Sequence, residues 1–141
     1  MKVSKEIGIK STYNFEAPVV LAGAHSIHSG TNFDSIDLNE LLVPVAENHY
    51  AVRVKGDSMI DEQIFEGDLL IVSRSESPRS GKIVIAALNG ETAVKKLVEK
   101  NGQVFLVSAN KRFLPIEIKG FMQFEIQGVV KYVIHKPEKL K

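Results

Sequence analysis

No cysteine occurs among the 141 residues. Disulfides, thiol nucleophiles and zinc–thiolate sites are therefore excluded. No apolar run approaches the roughly 18 residues a membrane-spanning helix needs. The start of the chain lacks a basic region followed by an apolar core, so it does not read as a signal peptide. The expectation is a cytoplasmic protein with no membrane partner. Charge of one sign is also scarce, since the net charge is only +1. That argues against a dedicated electrostatic nucleic-acid binder and against direct sequence-specific DNA binding. The balance is slightly uneven: residues 1–48 sum to −3 and residues 49–141 to +4. An acidic arm lying on a basic body would have this pattern. There is no Gly-rich phosphate loop and no dinucleotide fingerprint, so no cofactor is expected. His25 and His28 sit in a Ser/Gly-rich loop without a third ligand, and His49 and His135 lie near strand ends. This is too little convergence for a metal site.

What is present is ordinary globular material, 44% hydrophobic and 25% charged, enough for one domain with a real core. Residues 1–35 show no sustained period. Gly8, Pro18, Gly23 and Gly30 interrupt them, and they read as an arm with little structure of its own. Asp37 and Glu40 have capping-box spacing at the head of one short helix, which Pro44 stops. From residue 49 the pattern turns to short β runs: 49–55, 68–74, 82–88, 91–98, 103–108 and about 124–134. Asn89-Gly90 and Asn101-Gly102 mark two hairpin turns. The fold class predicted is all-β, a compact and strongly curved domain over residues 36–141 with an N-terminal arm over 1–35.

Two residues carry candidate chemistry. Ser58 follows a strand, within Val54-Lys55-Gly56-Asp57-Ser58-Met59-Ile60. Ile60, Ile64 and Phe65 have helical spacing, so Ser58 would head a short turn whose first amides point outward. Such amides can stabilise an oxyanion. Read locally, a serine or aspartate that merely caps the turn is the commoner case. Lys95 lies in Val94-Lys95-Lys96-Leu97. A buried lysine loses solvation of its charged form and can serve as a base near neutral pH. Thr92, Val94, Lys96 and Val98 share one strand face; Ala93, Lys95 and Leu97 share the other. Periodicity does not say which lysine is buried. Upstream, Ala22-Gly23 offers a peptide bond flanked by small residues, which is also what a plain flexible turn looks like. No histidine sits beside a Gly-x-Ser-x-Gly elbow.

At these residues the chain resembles the LexA/UmuD family of self-cleaving peptidases, its UmuD branch most closely. The matching segments are Gly56-Asp57-Ser58-Met59-Ile60-Asp61, Glu66-Gly67-Asp68-Leu69-Leu70-Ile71-Val72, Gly81-Lys82-Ile83-Val84-Ile85-Ala86-Ala87, Gly90-Glu91 and Val94-Lys95-Lys96-Leu97. Ile36-Asp37-Leu38-Asn39-Glu40-Leu41-Leu42 and Gly128-Val129-Val130 extend the match at either end. The resemblance implies that Ser58 is the nucleophile, Lys95 the general base and Ala22-Gly23 the bond cut. It implies an oxyanion hole from the backbone amides at Asp57 and Ser58. It also implies a homodimer, activation by a RecA–single-stranded DNA filament, and a shortened product that joins a UmuC-like translesion polymerase in the SOS response. Repressors of the family carry a helix-turn-helix domain, and only about 35 residues precede the Asp37 helix here, so a repressor role is not expected. A non-catalytic, protein-binding regulatory subunit of the same fold is the alternative.

Overall fold

The computed structural model describes residues 2–7, 14–18 and 33–137, with side chains from Ser35 onward. In chain order these form β1 (Lys2–Ile7), β2 (Asn14–Pro18), β3 (Phe33–Asp37), α1 (Leu38–Leu42), β4 (His49–Lys55), β5 (Leu69–Ser73), β6 (Ile83–Leu88), β7 (Glu91–Lys100), β8 (Gln103–Val107), β9 (Ile116–Glu117) and β10 (Phe124–Ile134). Two single 3-10 turns, Ala46–Asn48 and Ile60–Glu62, complete the set. The protein is all-β with antiparallel pairing, as the run of short strands predicts.

One sheet runs in the order β1-β4-β5-β10-β6-β7-β8-β9, and β2 pairs separately with β3. β1 also meets β7, with Lys2 opposite Ala93, so six strands close into a ring. Closure removes sheet edges that would otherwise invite aggregation. The sequence reading gave residues 1–35 little structure of their own. The described parts of that stretch are instead strands, and β3 crosses the expected boundary at residue 35. The reason lies in their pairing: β1 finds its partner outside the stretch, in β4, and β2 and β3 complete each other. A periodicity search within one segment does not see a partner supplied from outside it.

The local signals at turns and caps are realised. The Asp37 carboxylate accepts from the Asn39 amide at 2.9 Å and the Glu40 amide at 3.4 Å, capping α1. Asn89 and Gly90 have φ of 50° and 85°, and Asn101 and Gly102 have 53° and 76°. Both pairs are left-handed, which is what a two-residue hairpin with the right twist requires.

β5 is central and buried on both faces, which is why its sequence is a continuous apolar run. Leu70 and Val72 join Val52, Val54, Met59, Ile64, Ile85 and Val94 in the main core. Ile71 points the other way, onto Ala51 and Val43 beneath α1. A second cluster, Val84, Ala86, Leu97, Leu106 and Val129, fills the β6-β7-β8 side. Each fully buried Leu, Ile or Met contributes about 1.5–3 kcal/mol by leaving water. β10 ties the two halves, pairing with β6 through its first half and with β5 through its second. The changeover is marked by a register shift between Ile126 and Gly128. A bulge of this kind bends the strand and increases its twist.

Candidate active site

The Ser58 loop is built by anchoring both of its flanks. β4 ends at Lys55, and Gly56 turns the chain with φ of 95°. The Gly56 amide donates to Glu66 Oε1 at 3.1 Å. Beyond the turn, Met59 and Ile64 are fully buried in the main core. Ser58, next to Met59, is drawn in with it and has no exposed surface. The expected turn begins one residue late. It is the 3-10 turn Ile60–Glu62 with Met59 as its cap, and no side chain caps it. Met59, and neither Asp57 nor Ser58, occupies the cap position of that turn. The Asp57 carboxylate is instead paired with the Arg112 guanidinium.

Lys95 arrives on the β6–β7 hairpin, opposite Val84. Its side chain follows the face of Ala93 and Leu97, and the residue is only 9% exposed. The amine donates to Ser108 Oγ at 2.6 Å and lies 5.6 Å from the centre of the Phe113 ring. Burial pushes its pKa below the ordinary lysine value, because the charged form loses hydration. Lys96, on the opposite face, is half-buried and ion-paired with Glu62. The two lysines that periodicity left equivalent are therefore distinguished by environment.

The two candidate residues converge on one connector, residues 108–113, which leaves β8. Ser108 receives the Lys95 amine. The Ala109 carbonyl accepts from the Asp61 amide at 2.7 Å, and the Ala109 amide donates to Met59 Sδ at 3.3 Å. Asn110 is buried, and its Nδ2 donates to the Asp57 carbonyl at 2.9 Å. Its Oδ1 accepts from the Arg112 amide at 3.1 Å. None of Ser108, Asn110 or Arg112 was singled out by the sequence reading. Asn110 in a polar loop looks like any turn residue, and its target is 53 residues away.

A groove of about 210 Å³ opens beside Lys95, lined among others by Ala86, Leu88, Thr92, Ala93 and Leu106. β8 pairs with β7 only from Lys96 onward. Among the described residues, the upstream half of that β7 edge meets only β1, at Ala93. The groove thus lies beside the stretch of β7 that β8 leaves unpaired. Ala22 and Gly23 lie outside the described residues. So do His25 and His28. His49 Nδ1 is hydrogen-bonded to the Val45 carbonyl and His135 Nδ1 to Asp68 Oδ2. Among the described residues, no group of three or more His, Asp or Glu could hold a metal ion. No helix among them is long and apolar enough to cross a membrane.

The sequence model for Peptidase S24-like proteins matches residues 18–131. The chain belongs to the Peptidase S24-like family. Its relatives include the LexA repressor of Syntrophobacter fumaroxidans, 39% identical over a match covering 66% of this chain and 48% of that protein. LexA repressor 2 of Pseudomonas putida is 40% identical, covering 57% of this chain and 40% of its own length. The LexA repressor of Xylella fastidiosa is 42% identical, covering 57% and 38%. The chain spans half or less of the length of the curated relatives it matches. For this S24-like protein the resemblance is thus established at the level of the family, and these relatives carry the LexA name.

Proposed function

We propose that the chain is a self-processing serine peptidase with Ser58 as nucleophile, Lys95 as general base and Ala22-Gly23 as the bond cut. The observation that carries this reading is the burial of the Lys95 amine beside a connector that also clamps the Ser58 loop. A neutral Lys95 takes the Ser58 proton as Ser58 Oγ attacks the Ala22 carbonyl carbon. The resulting ammonium returns that proton to the Gly23 nitrogen as the C–N bond breaks. Water then repeats the sequence on the acyl-enzyme, with Lys95 again the base, and frees Ser58. Because the Asp57 carbonyl is held by Asn110, and the peptide is trans, the Ser58 N–H faces the opposite way. This supports the Ser58 amide as an oxyanion donor, with the Asp57 amide beside it. Tethering substrate to catalyst supplies a high effective concentration.

The role follows from the same reading. A RecA–single-stranded DNA filament promotes docking of the arm, and the product, residues 23–141, joins a UmuC-like translesion polymerase as a homodimer in the cytoplasm. The names of the relatives favour a second reading, a LexA-type repressor inactivated by the same cleavage. Binding of the cleaved product to such a polymerase favours the first; loss of operator binding on cleavage favours the second. The test of the chemistry is intact mass after incubation at alkaline pH. Loss of residues 1–22 from the wild type, and not from Ser58→Ala or Lys95→Ala, is expected. An unchanged wild-type mass would favour a non-catalytic protein-binding subunit.

A further inference from the structure

We propose that Ser108 is a positioning residue for the base: its hydroxyl oxygen takes one N–H of the Lys95 amine and so aims the amine's lone pair at Ser58. This rests on the reading of Ser58 and Lys95 as nucleophile and base. A neutral primary amine has two N–H bonds and one lone pair on a flexible four-carbon stem. Rotation about Cε–Nζ sweeps the lone pair through a circle, and only part of that circle faces the nucleophile. A single acceptor that fixes one N–H removes this freedom. Ser108 Oγ, 2.6 Å from Nζ, is such an acceptor.

The chemistry of the acceptor suits the task. A carboxylate in this place would hold the amine as an ammonium and raise its pKa, which would remove the base. A hydroxyl directs the amine without pairing a charge. When Lys95 takes the Ser58 proton, the new ammonium keeps its bond to Ser108, and it later delivers a proton to the leaving nitrogen. Ser108 itself neither gains nor loses one.

Ser108 is also well held. Two residues before it, Leu106 is buried opposite Leu97. Immediately after it, Ala109 is bonded through both backbone groups to the Ser58 loop, at Asp61 and Met59. The Ser108 backbone cannot shift relative to Lys95 without pulling on that loop, so one connector sets the base relative to the nucleophile. Among the described residues, the charged groups on neighbouring elements include Glu91 in the same groove, Glu62 paired with Lys96, and Asp57 paired with Arg112.

The test is the full pH profile of self-cleavage, read by intact mass, for the whole chain carrying Ser108→Ala or Ser108→Thr. Ser58→Ala and Lys95→Ala run in parallel. Ser108→Ala should lower the plateau rate by up to about 100-fold, the scale of loss for a misaimed reacting group. Its acid-side midpoint should move to lower pH, because the ammonium has lost an acceptor while the site stays closed. Ser108→Thr, which keeps the hydroxyl, should restore both. NMR titration of the Lys95 side chain in a Ser58→Ala background should show the same downward shift without any cleavage. A wild-type plateau and midpoint in Ser108→Ala would overturn the proposal. So would an upward midpoint, which would mean that the change had merely let water in. Retained cutting in Lys95→Ala would overturn the base assignment itself, so the two failures are distinguishable.

Discussion

Lys95 and Lys96 are adjacent in sequence and opposite in circumstance. Lys95 is buried against Ser108, whereas Lys96 reaches across the other face of β7 to Glu62. A strand alternates faces at every residue, so neighbouring lysines on β7 meet different surroundings. One loses its hydration, and the other keeps part of it and gains a counter-ion.

The two lysines should therefore differ sharply on mutation. Lys95→Ala should slow self-cleavage by about 100- to 10,000-fold, the usual contribution of a positioned general base. Lys96→Ala breaks a partly exposed ion pair, worth at most about 1 kcal/mol, and should leave cleavage within a few-fold of wild type. Time courses of intact mass on the two variants check this directly. Loss of cutting in Lys96→Ala alone would reassign the base.

Burial of Lys95 also makes a stability prediction with a definite sign. Its folded-state pKa lies below its unfolded value of about 10.4. Between the two values the unfolded chain binds more protons, so this residue makes stability rise with pH there. Below the folded pKa the burial penalty is fully present. Lys95→Met, similar in length and uncharged, should thus melt at a higher temperature than wild type at neutral pH. The difference should shrink as the pH approaches about 10.4. Thermal melts of Ser58→Ala and of Ser58→Ala with Lys95→Met, across that range, avoid interference from cleavage.

Much of the architecture is legible from short-range pattern. β4 and β10 coincide with the expected runs, and both Asn-Gly turns adopt the left-handed pair that those residues favour. What escapes the pattern is whatever depends on a distant partner. β1 lies in a stretch without periodicity and exists because β4 offers an edge. Ser108 and Asn110 matter because of what they touch, at Lys95 and Asp57, and nothing in their local sequence announces it. Ser58 reads as a possible cap because capping depends on a side-chain direction that residue type leaves open. The candidate site residues stand out only through an ordered resemblance, which leaves the supporting connector unseen.

Asn110 should prove more sensitive than its loop position suggests. Its side chain is buried and bonded at both ends, to the Asp57 carbonyl and the Arg112 amide. Asn110→Ala takes the side-chain acceptor from the Arg112 amide and leaves the Asp57 carbonyl with only the longer bond from the Ile60 amide, at 3.4 Å, at about 1–3 kcal/mol. It also frees the peptide that carries the Ser58 amide to rotate. Stability measured by urea denaturation should fall by that amount. Labelling of Ser58 by a fluorophosphonate should slow by more than the lost folded fraction accounts for. Equal losses in stability and labelling would reduce Asn110 to a purely structural role.

Gly128 holds the changeover of β10 between its two partner strands, and its lack of a side chain is what permits it. A Cβ there would collide with Val72 Cγ1 and lie 2.9 Å from the Ser73 carbonyl oxygen and 3.2 Å from the Tyr50 hydroxyl. The Ser73 oxygen is backbone of β5 and cannot give way without moving the strand, and Val72 is fully buried in the main core. Overpacking of this kind typically costs about 1–3 kcal/mol. Gly120→Ala is the matched control, since nothing lies within 4 Å of a Cβ at that position and its φ is not in the left-handed region. It should be neutral, or stabilising by up to about 1 kcal/mol through the unfolded chain. Urea midpoints of the two variants in a Ser58→Ala background should therefore move apart, with Gly128→Ala falling and Gly120→Ala holding or rising. Equal midpoints would mean that β10 can leave β5 without loss, and that the bulge is not what joins the two halves of the sheet.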